Sequence, residues 1–283
     1  MPSQNEIIYT PSKQPRQVRI DSTTKCPARC LSCHKFLTKR NGEMEFGLIA
    51  EIVNDVARWA EPLIEIVPVN YGEFFMREDW LQILQLIGAK LPKTQIVLPT
   101  NGALLDMSKA KALCKISTLR IINFSINAFF DETYEKFMGL NPDILRQIEK
   151  VMRLIKVLRP DIALWASMVF DPQYCSDLER DRFIEYWREI AHPQILPAAS
   201  AGRGTKILIP RVRPCRSIFS DIVVGFDRKI SSCCFDADFS IDLGWYDGNL
   251  LGNWWSKEMV ILREKHNEGR RQEIPLCKRC SFE

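Results

Sequence analysis

Apolar residues along this chain keep two alternating rhythms, a period near two that marks strands and a period near 3.6 that marks helices. Residues 17–21 predict a first strand. After Gly42, the spacing of Phe46, Ile49, Ile52, Val53, Val56 and Trp59 predicts an amphipathic helix to about residue 60. The β-branched run at 63–69 predicts a second strand that ends in Asn70-Tyr71-Gly72-Glu73, and a helix follows over 79–87. A third strand at 95–98 ends in Pro99-Thr100-Asn101-Gly102 and leads into a helix at 108–116. The fourth strand, 120–126, precedes helical stretches at 131–137 and 142–158, and a fifth strand lies at 162–169. A helix at 177–190 and a short strand at 194–196 complete the pattern.

Strand and helix thus alternate six times, which implies an α/β chain with right-handed crossovers and a parallel sheet. Ligands of such sheets bind beyond the carboxyl ends of the strands. Gly72-Glu73, Asn101-Gly102 and Ser125 all fall at such ends, as does a cysteine-rich loop after the first strand. Six units are too few for a closed eight-stranded barrel.

The loop reads Cys26-Pro27-Ala28-Arg29-Cys30-Leu31-Ser32-Cys33, a C-x3-C-x2-C trio. Iron–sulfur clusters normally take four thiolates, so a trio leaves one iron open to bind something other than protein. Zinc, with His34 as a fourth ligand, and buried thiols are the other readings of the same residues. A second group lies far along the chain: Cys215, Cys233, Cys277 and Cys280, the last two a C-x2-C pair. Four cysteines alone suit a zinc ribbon as well as a cluster. Cys114 and Cys175 have no partners in the sequence and read as small core hydrophobes. His34, His192 and His266 form no constellation and read as structural or solvated.

The trio resembles the signature of the radical S-adenosylmethionine (SAM) superfamily, although the position before the third cysteine, usually bulky or aromatic, is Ser32. The resemblance implies a partial (β/α)6 barrel whose cluster, a [4Fe-4S] held by Cys26, Cys30 and Cys33, binds SAM through its amino and carboxylate groups. An electron from that cluster then cleaves SAM to a 5′-deoxyadenosyl radical, which takes hydrogen from substrate. Gly72-Glu73 resembles the Gly-Gly-Glu-Pro segment that meets the SAM ammonium, with Tyr71 in place of the first glycine and Phe74 in place of the proline. Thr100-Asn101-Gly102 is similar to the family's third-strand segment, as a SAM contact or simply a turn. Ser125-Ile126-Asn127 resembles its Ser-Ile-Asp segment, where the serine meets the SAM carboxylate or ribose and Asn127 departs from aspartate.

The C-terminal group resembles the SPASM/twitch auxiliary-cluster subgroup in its short form. Cys215 and Cys233 bracket a hairpin over 221–225 and 229–232, Leu251-Gly252-Asn253 precedes a tryptophan-bearing helix, and Pro275-Leu276-Cys277 opens the final pair. Arg228 stands at the hairpin position where that subgroup carries glycine. Counting from it assigns Cys233 rather than Cys234 as ligand. The implied second [4Fe-4S] cluster, fully ligated by protein, accepts an electron from a substrate radical. Tyr71-Gly72-Glu73 and the step from Cys215 to Cys233 resemble the layout of 2-deoxy-scyllo-inosamine dehydrogenases, twitch enzymes that oxidise a sugar-like alcohol. The implied oxidoreductase takes a small-molecule or peptide substrate and an electron donor such as flavodoxin or ferredoxin. A peptide maturase that cross-links or epimerises is the alternative enzyme, disfavoured by the short polar N-terminus, which leaves no room for a leader-binding module. A zinc-binding protein without catalysis is the alternative of another class.

Composition narrows the partners. Of 283 residues 46% are hydrophobic and 26% charged, with a net charge of +4 and both signs interspersed, so neither nucleic acid nor membrane is called for. The N-terminus lacks the apolar core of a secretion signal, and no run approaches the ~18 apolar residues of a membrane span, which places the chain in the cytoplasm. There thiols stay reduced, so ten cysteines point to metal rather than disulfides. The expected division is an extension over 1–16, the barrel over 17–197, and a linker with the auxiliary domain over 198–283, Arg203 of the linker being a candidate substrate clamp.

Overall fold

The computed structural model describes residues 8–198, 213–278 and 280. Six strands and the helices between them appear in the expected order: β1 (Gln17–Asp21), α1 (Phe46–Val56), β2 (Glu65–Val67), α2 (Trp80–Lys90), β3 (Gln95–Thr100) and α3 (Met107–Leu113). After them come β4 (Leu119–Ser125), α4 (Asp131–Met138), α5 (Asp143–Leu158), β5 (Ala163–Phe170), α6 (Asp177–Trp187) and β6 (His192–Pro197). All six strands are parallel and adjacent in chain order. β2 is shorter than its apolar run because Pro68 follows it, and proline has no N–H to continue the ladder.

Helix periodicity and burial agree. α1 buries Leu48, Ile49, Ile52, Val53 and Val56, and α5 buries Ile148, Val151, Met152 and Ile155, each a single stripe at helical spacing. On β4, Ile122 and Phe124 face this helical layer, while Ile121, Asn123 and Ser125 alternate onto the opposite face. Asp106 and Ser176 cap α3 and α6 by accepting from the N–H groups of Lys109 and Glu179.

The C-terminal part holds α7 (Ser217–Ser220), β7 (Asp221–Gly225), β8 (Ile230–Ser231), α8 (Leu250–Trp254) and α9 (Lys257–Asn267). Its hairpin joins the barrel sheet, for β7 pairs parallel to β1 over five residues and β8 returns antiparallel, giving the order β6-β5-β4-β3-β2-β1-β7-β8. Further ties cross the expected boundary. The Asp55 carboxylate accepts from Leu250 N–H at 2.7 Å, and Arg228 pairs with Glu51 at 2.7 Å. Arg40 donates to Asp227 at 2.6 Å while lying over the rings of Phe226 and Phe239. Residues 12 and 13 lie against the same part: Ser12 O and Lys13 O accept from the indoles of Trp254 and Trp255. Most of the linker, including Arg203, lies outside the described residues.

Candidate functional site

The cysteine loop leaves β1 and is held on two sides. Thr23 and Glu43 form an antiparallel bridge at its base, and the end of α4 accepts from the loop backbone, Arg29 N–H to Met138 O at 2.8 Å and Leu31 N–H to Phe137 O at 3.0 Å. Gly139 stops α4 at φ +63°, where a side chain would meet Cβ of Arg29 at 3.1 Å, so glycine lets the two segments approach. Cys26, Cys30 and Cys33 are half-buried. Burial pushes the Cys30 thiol up to about 12, with Cys33 and Cys26 adding, and the Cys26 thiol up to about 11. Free, these thiols hold their protons at neutral pH, and any metal that binds them must displace those protons.

Beneath the loop lies a strut built from the expected SAM-contacting segments. The buried Glu73 carboxylate accepts from Thr100 Oγ1 at 2.8 Å, Asn101 N–H at 2.7 Å and Phe75 N–H at 3.2 Å. These bonds fill three of about four acceptor positions. Burial raises its pKa and the same bonds oppose the rise. Gly72 is packed so closely that a Cβ there would stand 2.1 Å from Thr23 O. Asn101 carries the strut to the loop, its Nδ2 donating to Cys26 Sγ at 3.4 Å.

Asn127, at φ +63°, occupies the left-handed region that asparagine tolerates. Its amide accepts from Val169 N–H at 2.9 Å and donates to Met138 Sδ at 3.1 Å. Met138 Sδ also accepts from Cys30 Sγ. Ser125 is half-buried on the face away from the helices and in register with Ser167. The Ser167 hydroxyl bridges Asn123 and Gln194, so this face carries a polar row across β4, β5 and β6.

Tyr71 stands where the family has glycine and belongs to the Tyr71-Gly72-Glu73 segment that resembles the dehydrogenase layout. Its hydroxyl is buried and has no hydrogen-bond partner among the described residues. Burial raises the phenol pKa, and Cys234, Cys233 and Cys33 push it further, so the hydroxyl lies within electrostatic reach of both cysteine groups.

Cys215, Cys233, Cys277 and Cys280 converge, together with Cys234, on a largely enclosed hollow that Arg271, Phe235 and Leu276 also line. Burial raises the thiols of both Cys233 and Cys234, and Cys215 adds to each. Among the described residues no three ligating side chains close on a single metal ion, the arrangement zinc requires. His34 is buried instead against the ring of Phe235 at 5.3 Å.

The model of the radical SAM superfamily matches residues 20–173, more than half of the chain. The chain belongs to the radical SAM superfamily. Among curated proteins it is 28% identical over 147 residues to a probable GTP 3′,8-cyclase of Methanocaldococcus jannaschii, covering 50% of this chain and 46% of that protein. It is 30% identical over 148 residues to a probable GTP 3′,8-cyclase of Thermococcus kodakarensis, covering 50% and 45%. The chain thus spans less than half the length of these relatives. Its fold is similar to that of BtrN in complex with AdoMet and 2-DOIA (TM-score 0.62, 15% identity, 97% of this chain and 94% of that one). It is also similar to Streptococcus suis SuiB bound to the precursor peptide SuiA (TM-score 0.72, 13% identity, 95% and 70%). A third likeness is to anSMEcpe with bound AdoMet and Cp18Cys peptide (TM-score 0.66, 15% identity, 93% and 88%). The donor set suits the four-iron cluster the superfamily implies: three thiols on one loop with the strand ends beside them. No described helix is long and apolar enough to cross a membrane.

Proposed function

We propose that this chain is a radical SAM dehydrogenase, oxidising a small hydroxyl-bearing substrate between the loop trio and the C-terminal cysteines. Cys26, Cys30 and Cys33 would hold the SAM-binding cluster, and Cys215, Cys233, Cys277 and Cys280 an auxiliary one. When bound, these groups supply reductive cleavage of SAM, hydrogen abstraction and a sink for the electron left on the substrate.

The observation that carries this reading is the Tyr71 hydroxyl, buried without a partner within electrostatic reach of both thiol groups. A neutral phenol there donates a hydrogen bond to a substrate hydroxyl and holds the carbon beneath it in place. The polar row of Asn123, Ser167 and Gln194 offers further donors and acceptors to a polyol on the same sheet face. Ser125, Gly72, Asn101 and Asn127 line the strand ends against which SAM would lie, and the Glu73 strut fixes that rim. An external one-electron donor of the flavodoxin or ferredoxin class would load the first cluster.

The test is anaerobic turnover with SAM, reductant and candidate polyols deuterated at the carbinol carbon. Deuterium in 5′-deoxyadenosine together with a carbonyl product is the expected result. Transfer of deuterium from a peptide with no alcohol consumed would sink the dehydrogenase in favour of a maturase. Two zincs per chain and no SAM cleavage would sink the enzyme.

A further inference from the structure

The hollow of the C-terminal cysteines has a buried cation in its wall. Arg271 is only 2% exposed, stands on the 3-10 turn Arg271–Glu273 just before the Cys277–Cys280 pair, and lines the hollow beside all four assigned thiols. Its Nη1 donates to Arg213 O at 3.1 Å, two residues before Cys215, so the guanidinium is anchored to the chain at both ends of the cysteine set. A guanidinium does not give up its proton, and its burial is costly unless negative charge stands nearby.

Cys215 has a second basic side chain beside it. His266 on α9 is fully buried, and its Nδ1 accepts the Cys215 N–H at 3.1 Å, which leaves the ring proton on Nε2. The ring serves to place Cys215, while Arg271 is a cation in the wall that faces the thiols.

We propose that Arg271 is a positioning residue for electron transfer, whose fixed charge raises the reduction potential of the auxiliary cluster and so makes it an acceptor. This rests on the reading of Cys215, Cys233, Cys277 and Cys280 as ligands of a four-iron cluster. Four thiolates give such a cluster net negative charge, and reduction adds one more. A fixed positive charge in a site of low dielectric stabilises the reduced state more than the oxidised one.

The experiment uses the full chain with Cys26→Ala, Cys30→Ala and Cys33→Ala, so that the auxiliary cluster alone remains, reconstituted anaerobically and titrated potentiometrically with EPR detection. Arg271→Lys and Arg271→Gln are compared in that parent. Both side chains can donate a hydrogen bond to Arg213 O, but one is charged and the other is not. The expected result is about four irons per chain throughout. The Gln variant should favour the oxidised state at least tenfold relative to the parent, about 59 mV more negative for one electron, with the Lys variant within threefold of the parent. Iron-replete variants whose midpoints coincide would overturn the role of Arg271 while leaving the cluster in place. Loss of iron from both variants but not from the parent would make Arg271 a structural support and overturn it too. A parent without iron would overturn the ligand assignment, and the proposal with it.

Discussion

The two cysteine groups are built in opposite ways. The first comes from eight consecutive residues on a loop, half-buried, and depends on neighbours for its shape: the end of α4, the Asn101 amide and the Thr23–Glu43 bridge. The second is gathered from three distant places in the sequence into an enclosed wall with its own cation. A local set leaves room for a non-protein ligand, whereas an assembled set surrounds what it binds. On the proposed reading, that difference suits exchange of a co-substrate at the loop and uptake of an electron at the hollow.

The largest expected effect separates the two groups directly. Replacing Cys26, Cys30 or Cys33 by alanine should reduce SAM cleavage to background, measured as 5′-deoxyadenosine released under reductant. Cys277→Ala should keep that cleavage and lose the oxidised product. Equal loss from both substitutions would break the division of labour.

Next is Gly72→Ala, which drives a methyl into Thr23 O beneath the loop. Overpacking against backbone should cost about 3 kcal/mol, read as a lower unfolding midpoint in denaturant, with iron lost first from the loop site. Asp21 gives a smaller effect that depends on pH. It lies at the junction of the two regions, accepting from Tyr71 N–H and 4.0 Å from Arg40, and burial raises its pKa to about 6. Between its unfolded value of 3.8 and that figure the folded state binds the extra proton. The Asp21 contribution to stability is therefore full at low pH and is lost as pH rises through about 6. Asp21→Asn should remove that fall, at most about 3 kcal/mol, in denaturant melts across pH 4 to 8. The smallest effect is expected at Arg228, which sits at φ +69°. Arg228→Gly should relieve about 1 kcal/mol of backbone strain and give up an exposed pair with Glu51 worth less, so stability should change by under about 1 kcal/mol.

Much of this was legible before the structure. Period and length placed all six strands and the helices between them, because each strand and helix answers to its own neighbours in the chain. The φ of Arg228 was foreshadowed in the same way, since it stands where glycine is usual. What stayed hidden depends on register between distant segments. Glu73 could be placed at a strand end, but two of its three donors, Thr100 and Asn101, are set by how β2 lies against β3. Arg271 is one of 39 basic residues, and nothing in its sequence neighbourhood points to the hollow. The hairpin was expected, yet its pairing with β1 joins residues about 200 positions apart, beyond the reach of any local pattern.

That pairing has a bearing on how the molecule is made. On a ribosome β1 emerges early and finds β2 soon after, but its other side stays an open edge until residues 221–225 have been synthesised. An open strand edge invites pairing with foreign chains, and contacts of such long sequence separation form slowly. The first cysteine loop therefore hangs from an unfinished sheet until residues 221–225 have been made. A chain truncated before residue 221 should be insoluble even though every residue of the trio and its strut is present.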